Sequence, residues 1–122
     1  MVYSKYHAQK TPCAYGHMHD SKKEAVRCNE LHLLQRAGQI ADLQVQVKYE
    51  LIPAQREEGS VSRTGKPVKG RLIEREVNYI ADFVYTENGL TVVEDTKGMK
   101  TAEYILKRKL MLFKYGIQIR EV

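Results

Sequence analysis

The sequence predicts a mixed α/β domain with element order αβββαβ, a mixed central sheet flanked by helices. Three observations carry that expectation. Apolar residues recur at every second position through Leu43, Val45, Val47, Tyr49 and Leu51, the period of a strand with one buried face. Asn88-Gly89 separates two β-rich runs, and both residues tolerate the positive φ of a type I′ turn. A helical pattern from Thr101 to Tyr115 joins the second run to a final alternating segment. That length suits a crossover between parallel strands.

Residues 1–20 hold three tyrosines, three histidines and two lysines with little periodicity, and read as an irregular N-terminal arm. Ser21-Lys-Lys-Glu24 has the form of a capping box and opens a helix to about Ala37, where Gly38 stops it. The strand through Leu51 ends at Pro53. Residues 54–70 are polar and read as a flexible loop or the frayed tip of a hairpin. Strands are expected near 72–86, with a charged start at Glu74-Arg75-Glu76, and at 90–97. The second helix presents Ala102, Ile105, Leu106, Leu110 and Phe113 as its apolar face, and Gly116 ends it. Residues 117–122 read as the last strand. The 122 residues, 43% of them hydrophobic, suffice for one domain spanning 1–122.

Twenty Lys+Arg against 15 Asp+Glu give a net charge of +5, which suits a polyanionic partner without proving one. No apolar run is long enough to span a membrane, and no signal-peptide pattern is present. Two cysteines, Cys13 and Cys28, make no disulfide framework, so a reduced, cytoplasmic setting is expected.

The chemistry follows from the hairpin. A two-residue loop pairs Glu87 with Leu90 and, counting outward, Asp82 with Asp95. Theirs is a non-hydrogen-bonded pair, with Cβ atoms roughly 4.5–5.5 Å apart. The same face carries Ile80, Val84 and Val93, so burial is expected there, and two buried like charges call for a shared cation. Lys97 has the parity of Asp95 and points the same way. Paired carboxylates suit Mg²⁺, with Mn²⁺ as substitute, because a hard ion prefers oxygen ligands and keeps waters. Such an ion polarises a phosphate and activates water, and a neighbouring lysine can position that water or act on its proton. The pattern points to phosphodiester hydrolysis.

Asp82 followed by Asp95-Thr96-Lys97 on a hairpin resembles the signature of PD-(D/E)XK nucleases, with Ala81 where that name has proline. The element order resembles their restriction-endonuclease-like core. More narrowly, most of the chain resembles a family of short phage and prophage proteins of unknown function. That likeness rests on Asp20-Ser-Lys-Lys-Glu24-Ala25, Ile40-Ala-Asp-Leu-Gln-Val-Gln46, Tyr79-Ile-Ala-Asp82-Phe83 and Val93-Glu-Asp95-Thr-Lys97-Gly98. The chain is also similar to transposase endonuclease subunits and archaeal Holliday junction resolvases. The resemblance implies a Mg²⁺-dependent endodeoxyribonuclease of phage or prophage origin, selective for branched DNA and leaving 5′-phosphate and 3′-hydroxyl ends. It implies metal ligation by Asp82, Asp95 and the Thr96 backbone carbonyl, the Thr96 side chain pointing away, with Lys97 at the attacking water. It also implies a glutamate from the first helix, matched by Glu24.

Several residues carry two readings. Glu24 is either the capping partner of the Ser21 amide or an active-site acid, lying between Cys28 and Leu31 on the inward side of its helix. Gln46 is either a solvent-facing strand residue or a contact near the scissile phosphate. Glu94, of opposite parity to Asp95, reads as a structural or surface carboxylate. Lys107 and Lys109 on the second helix, with Lys23, Lys66 and Lys69, form either a solvated surface or a DNA-backbone footprint. Cys13, His17, His19, Cys28 and His32 also carry two readings: a zinc site, since Cys28 and His32 stand i, i+4 on one helix face, or Cys28 in the core and the others on a mobile arm, since the spacing Cys13-x3-His17-x-His19-x8-Cys28-x3-His32 matches no ordinary structural zinc pattern. Expected partners are DNA and a second copy of the chain, since cutting two strands takes two sites. A phage recombination or packaging protein is a further expected partner, and a membrane is not. Competing readings are a non-catalytic DNA-binding module of the same fold, and a nuclease subunit active only within a larger complex.

Overall fold

The computed structural model describes residues 10–122. In chain order its elements are β1 (Thr11–Pro12), β2 (Met18–His19), α1 (Lys22–Arg36), β3 (Ala41–Ile52), β4 (Gln55–Arg56), β5 (Ser60–Val61), β6 (Pro67–Val68), β7 (Leu72–Glu74), β8 (Val77–Glu87), β9 (Leu90–Asp95), α2 (Ala102–Tyr115) and β10 (Arg120–Glu121). The elements α1, β3, β8, β9, α2 and β10 follow the expected αβββαβ order. Their strands form one mixed sheet in the order β10–β9–β8–β3. β8 is antiparallel to both β3 and β9, whereas β10 runs parallel to β9 after the α2 crossover.

Local signals set the helix ends. Ser21 Oγ accepts the Glu24 N–H at 3.2 Å, and Gly38 leaves α1 at φ +77. Thr101 Oγ1 accepts the Tyr104 N–H at 3.1 Å, and Gly116 closes α2 at φ +68. The helices cover opposite faces of the sheet. Phe83, Tyr85 and Val92 pack with Ala25, Cys28 and Leu31 of α1, whereas the intervening Val84 and Val93 pack with Tyr104 and Met111 of α2.

The β3–β8 ribbon changes sides partway along. Leu43, Val45, Phe83 and Tyr85 join the α1 core, while Tyr49, Leu51, Tyr79 and Ala81, of the same parity, join the α2 core. The change falls at Gln46 and Asp82. Their rung is missing from a ladder that otherwise runs from Val45–Phe83 to Val47–Ala81. Gln46 adopts φ +57, a left-handed conformation that costs a side-chain-bearing residue roughly 1–2 kcal/mol.

Several expectations are corrected. Residues 11–19 are not an irregular arm: β1 pairs with β2 around a turn with Gly16 at φ +86, and Cys13 and His19 are buried. Two-residue strands leave no room for a repeat to show. The first nine residues of the expected arm lie outside the described residues. Of the two readings of residues 54–70, the flexible loop gives way to the hairpin tip, because β4–β7 and β5–β6 prolong the β3–β8 hairpin. Backbone contacts such as Glu57 N–H to Arg71 O at 2.8 Å hold this extension, and they require no apolar side chains. At Gly70 a Cβ would stand 1.8 Å from the Glu57 carbonyl oxygen, so the two arms approach only because that residue is glycine.

The strand expected over 72–86 divides at Arg75-Glu76, with β7 pairing β4 and β8 starting at Val77. The strands expected at 90–97 and 117–122 shorten to Leu90–Asp95 and Arg120–Glu121. On α2 the buried residues are Tyr104 and Met111, two turns apart, whereas Ala102, Leu106 and Phe113 are exposed. Leu106 and Phe113 have the same seven-residue spacing and form a second, outward apolar stripe. No helix of the described residues is long and apolar enough to cross a membrane.

Candidate active site

Three adjacent strands bring Gln46, Asp82 and Asp95 into one row. Asn88 and Gly89 take φ +52 and +78, and the ladder runs from Glu87–Leu90 to Phe83–Glu94. The ladder stops one residue short of Asp82 and Asp95, whose carboxyls nonetheless meet at the same hollow and influence one another. This face is graded rather than uniformly buried: Ile80 is 53% exposed, Asp82 is half-buried and Asp95 is 1% exposed. The missing rung at Gln46 opens the sheet beside Asp82.

Each carboxylate commits one oxygen to the protein. Asp95 Oδ2 accepts the Tyr79 hydroxyl at 2.5 Å, while Asp95 Oδ1 is buried with no hydrogen-bond partner. Asp82 Oδ2 accepts the Thr96 N–H at 2.9 Å and the Thr96 hydroxyl at 2.8 Å. Glu24 Oε1 accepts the Gln46 amide at 2.7 Å and His19 Nδ1–H at 3.0 Å. The capping box is therefore half made. Ser21 caps the helix, but the Glu24 carboxylate turns inward, 4% exposed, instead of returning to the Ser21 amide.

The electrostatics register the crowding. Burial first, and the Asp82 charge second, push the Asp95 carboxyl up to about 7, against the Tyr79 hydrogen bond and the Lys97 charge. Burial and Asp82 also raise Glu24 above the ordinary carboxylate range, with His19 opposing them. Burial and the Asp95 bond hold the Tyr79 phenol protonated, so it remains a donor.

Two hollows of about 490 and 400 Å³ meet at Asp20, Asp82, Lys97 and Thr101. The first also takes in Lys23, Glu24, Asp95 and Thr96, and the second Gln46, Tyr104 and Lys107. Lys97 lies beyond the end of β9 yet faces this cleft, its Nζ 5.2 Å from the centroid of the Tyr104 ring. Of the sequence-derived candidates, Glu24, Gln46, Asp82, Asp95, Thr96, Lys97, Lys23 and Lys107 line the cleft. Lys107 also pairs with Glu103 at 3.1 Å. Lys66 and Lys69 sit on the hairpin extension and Lys109 on the exposed side of α2, none of them among the lining residues. The Thr96 side chain does not point away: regular alternation stops at Asp95, and its hydroxyl turns back to Asp82.

Sequence reasoning overlooked His19, Tyr79, Tyr104 and Asp20. Tyr79 offered one signal, as a strand tyrosine three residues before Asp82, but it reads as ordinary core. Glu94 is structural: wholly buried, it accepts Arg27 Nε–H at 2.5 Å, Arg27 Nη2–H at 2.9 Å and the Tyr85 hydroxyl at 2.6 Å. Separately, Cys13, His17, His19 and Cys28 place one ligand atom each within 4.8 Å of one another. Among the described residues this is the one group of three or more such ligands gathered that closely.

The chain belongs to a family described as protein of unknown function (DUF1064), whose family model matches residues 3–121. No curated protein matches the chain. No solved structure does so either.

Proposed function

We infer that this member of the DUF1064 family is a Mg²⁺-dependent endodeoxyribonuclease with a restriction-endonuclease-like core, related to PD-(D/E)XK nucleases. The observation that carries the reading is the convergence of Glu24, Asp82 and Asp95 on one cleft beside Lys97, with Asp95 Oδ1 buried and unpartnered. The donor set fits the ion. All three groups are hard oxygen donors, and burial first and the Asp82 charge second raise the pKa of the other two, a crowding that a bound cation would offset. Asp82, Asp95 and Glu24 would hold it, and when bound it supplies charge stabilisation at the phosphate and an activated water.

The chain's own groups hold this arrangement in place. Tyr79 fixes Asp95, Thr96 fixes Asp82, and Gln46 with His19 fixes Glu24. Lys97 stands where it can orient the attacking water and take part in its proton transfer. Lys23, Lys48 and Lys107 surround the cleft with positive charge for a phosphate backbone. The exposed Leu106–Phe113 stripe supports a homodimer, which would present two sites to branched or duplex DNA.

The purified chain should nick supercoiled plasmid only when Mg²⁺ or Mn²⁺ is added, and bind DNA with an affinity that falls steeply with salt. Asp82→Ala, Asp95→Ala and Lys97→Ala should each remove most cutting while keeping DNA binding. Equal cutting by these variants and the parent would show the assignment to be wrong. Branched DNA should be cut in preference to linear duplex.

A further inference from the structure

The geometry points to a tetrahedral Zn²⁺ site formed by Cys13, His17, His19 and Cys28, whose His19 ligand also orients Glu24. The donors come from two elements that the sequence separates. The β1–β2 hairpin supplies Cys13, His17 and His19, and the middle of α1 supplies Cys28. Two thiols and two imidazoles are a common structural zinc set. Zn–S bonds of about 2.3 Å and Zn–N bonds of about 2.0–2.1 Å imply ligand-to-ligand edges of roughly 3.4–3.8 Å. Cys13 Sγ lies 3.7 Å from His17 Nδ1, and His17 Nδ1 lies 3.4 Å from Cys28 Sγ.

The independent observation is His19. It is 1% exposed, and its Nε2 is buried without a hydrogen-bond partner. Its Nδ1 lies 3.0 Å from Glu24 Oε1, so a proton held on Nδ1 and donated to the carboxylate leaves Nε2 as the ligating atom. A carboxylate behind a histidine is the usual support of a zinc ligand. Both cysteines are buried free thiols. On binding, the two thiols release their protons to solvent and coordinate as thiolates, so the site is neutral overall. His32 stands outside the set: its Nδ1 lies 3.6 Å from Cys28 Sγ, but its Nδ1–H donates to the Cys28 carbonyl at 2.9 Å, its ring stacks on Tyr15 at 4.0 Å, and it is not among the four ligands that lie within 4.8 Å of one another.

The site explains why so short a hairpin keeps its place. Two-residue strands supply too few hydrogen bonds to hold themselves, and a metal would staple them to α1. It also makes the hairpin part of the cleft, because the Glu24 partner is then a metal ligand. The zinc site does not depend on the proposed nuclease activity, and its tests read metal binding, not cleavage.

The full chain, purified without chelator, should carry one equivalent of zinc by elemental analysis. Exchanged into Co²⁺, it should show thiolate-to-metal charge-transfer bands and the intense d–d bands of a tetrahedral centre. Cys28→Ser and His17→Ala should lose the metal, and His32→Gln should keep it. Glu24→Ala should weaken zinc affinity by about 10–100-fold, whereas Asp82→Ala should leave it unchanged. A parent chain with reduced thiols that takes up no zinc, or a Co²⁺ spectrum without thiolate bands, overturns the site. Loss of zinc by His32→Gln equal to that of His17→Ala overturns the ligand set. Equal zinc affinity in the parent and Glu24→Ala overturns the link to Glu24.

Discussion

Replacing Asp95 with asparagine should abolish cutting and, in Mg²⁺-free buffer, make the protein more stable. Asp95 is buried and faces Asp82, so its carboxyl ionises at about 7 in the folded chain instead of at the 3.8 of an unhindered aspartate. The folded state therefore keeps a proton that the unfolded state has lost. Stability falls as pH rises from about 4, and levels off above about 7. A difference of about three pH units corresponds to a cost of roughly 4 kcal/mol at pH 8, of which about 1–2 kcal/mol is already present at pH 5. Asparagine has nearly the same shape, still accepts the Tyr79 hydroxyl, and carries no charge. Urea melts of parent and Asp95→Asn at pH 5 and pH 8 should diverge by roughly 2–3 kcal/mol more at the higher pH. Mg²⁺ should raise the parent's midpoint most at pH 8 and leave that of the variant almost unmoved. A variant no more stable than the parent at pH 8, or a difference independent of pH, would refute the view that burial and the Asp82 charge together raise the Asp95 carboxyl.

Glu24→Gln should lose most Mg²⁺-dependent cleavage with little change in Tm, because an amide oxygen can still accept from His19 and Gln46; normal turnover with a large drop in Tm would return Glu24 to a structural role. Gln46→Gly should relieve a left-handed backbone cost of roughly 1–2 kcal/mol while removing the amide that holds Glu24, so activity should fall without loss of thermal stability. Arg27→Ala should destabilise the chain by about 3–5 kcal/mol in denaturant melts, since it leaves the Glu94 charge buried and unpaired.

The central hairpin was legible because Asn88-Gly89 permits only a two-residue loop, and counting outward then fixes which acids meet. Glu24 was legible as inward-facing from its place between Cys28 and Leu31, although the capping pattern competed for it. The hairpin extension over 54–70 was legible only as one of two alternatives, since strands held by backbone bonds alone leave no apolar period to read. On α2 two stripes share a seven-residue spacing, and only packing against the sheet chooses Tyr104 and Met111 over Leu106 and Phe113. The Cys/His residues were visible but undecided for a different reason. Their spacing is set by how a hairpin docks on a helix, not by one compact loop, so no local pattern announces a site. Tyr79 was missed because a strand tyrosine reads as core until its hydroxyl is seen to end on Asp95.

The Glu94 cluster has a consequence for how β9 is held. Along Thr91-Val92-Val93-Glu94-Asp95, a slip of one residue would exchange valine for valine at one position and acid for acid at another, the mismatch falling where Val93 meets Glu94. Hydrophobic patterning, which normally rejects such slips along a whole strand, acts here chiefly at the buried Val93 position. Two neighbouring acids of the same charge must nonetheless be told apart, one to meet a permanent arginine and the other to stand open in the cleft. Arg27 and Tyr85 make that distinction: they grip a carboxylate that reaches one methylene further than aspartate can. The clasp on the far side of the strand thus decides which acid is offered to the cleft.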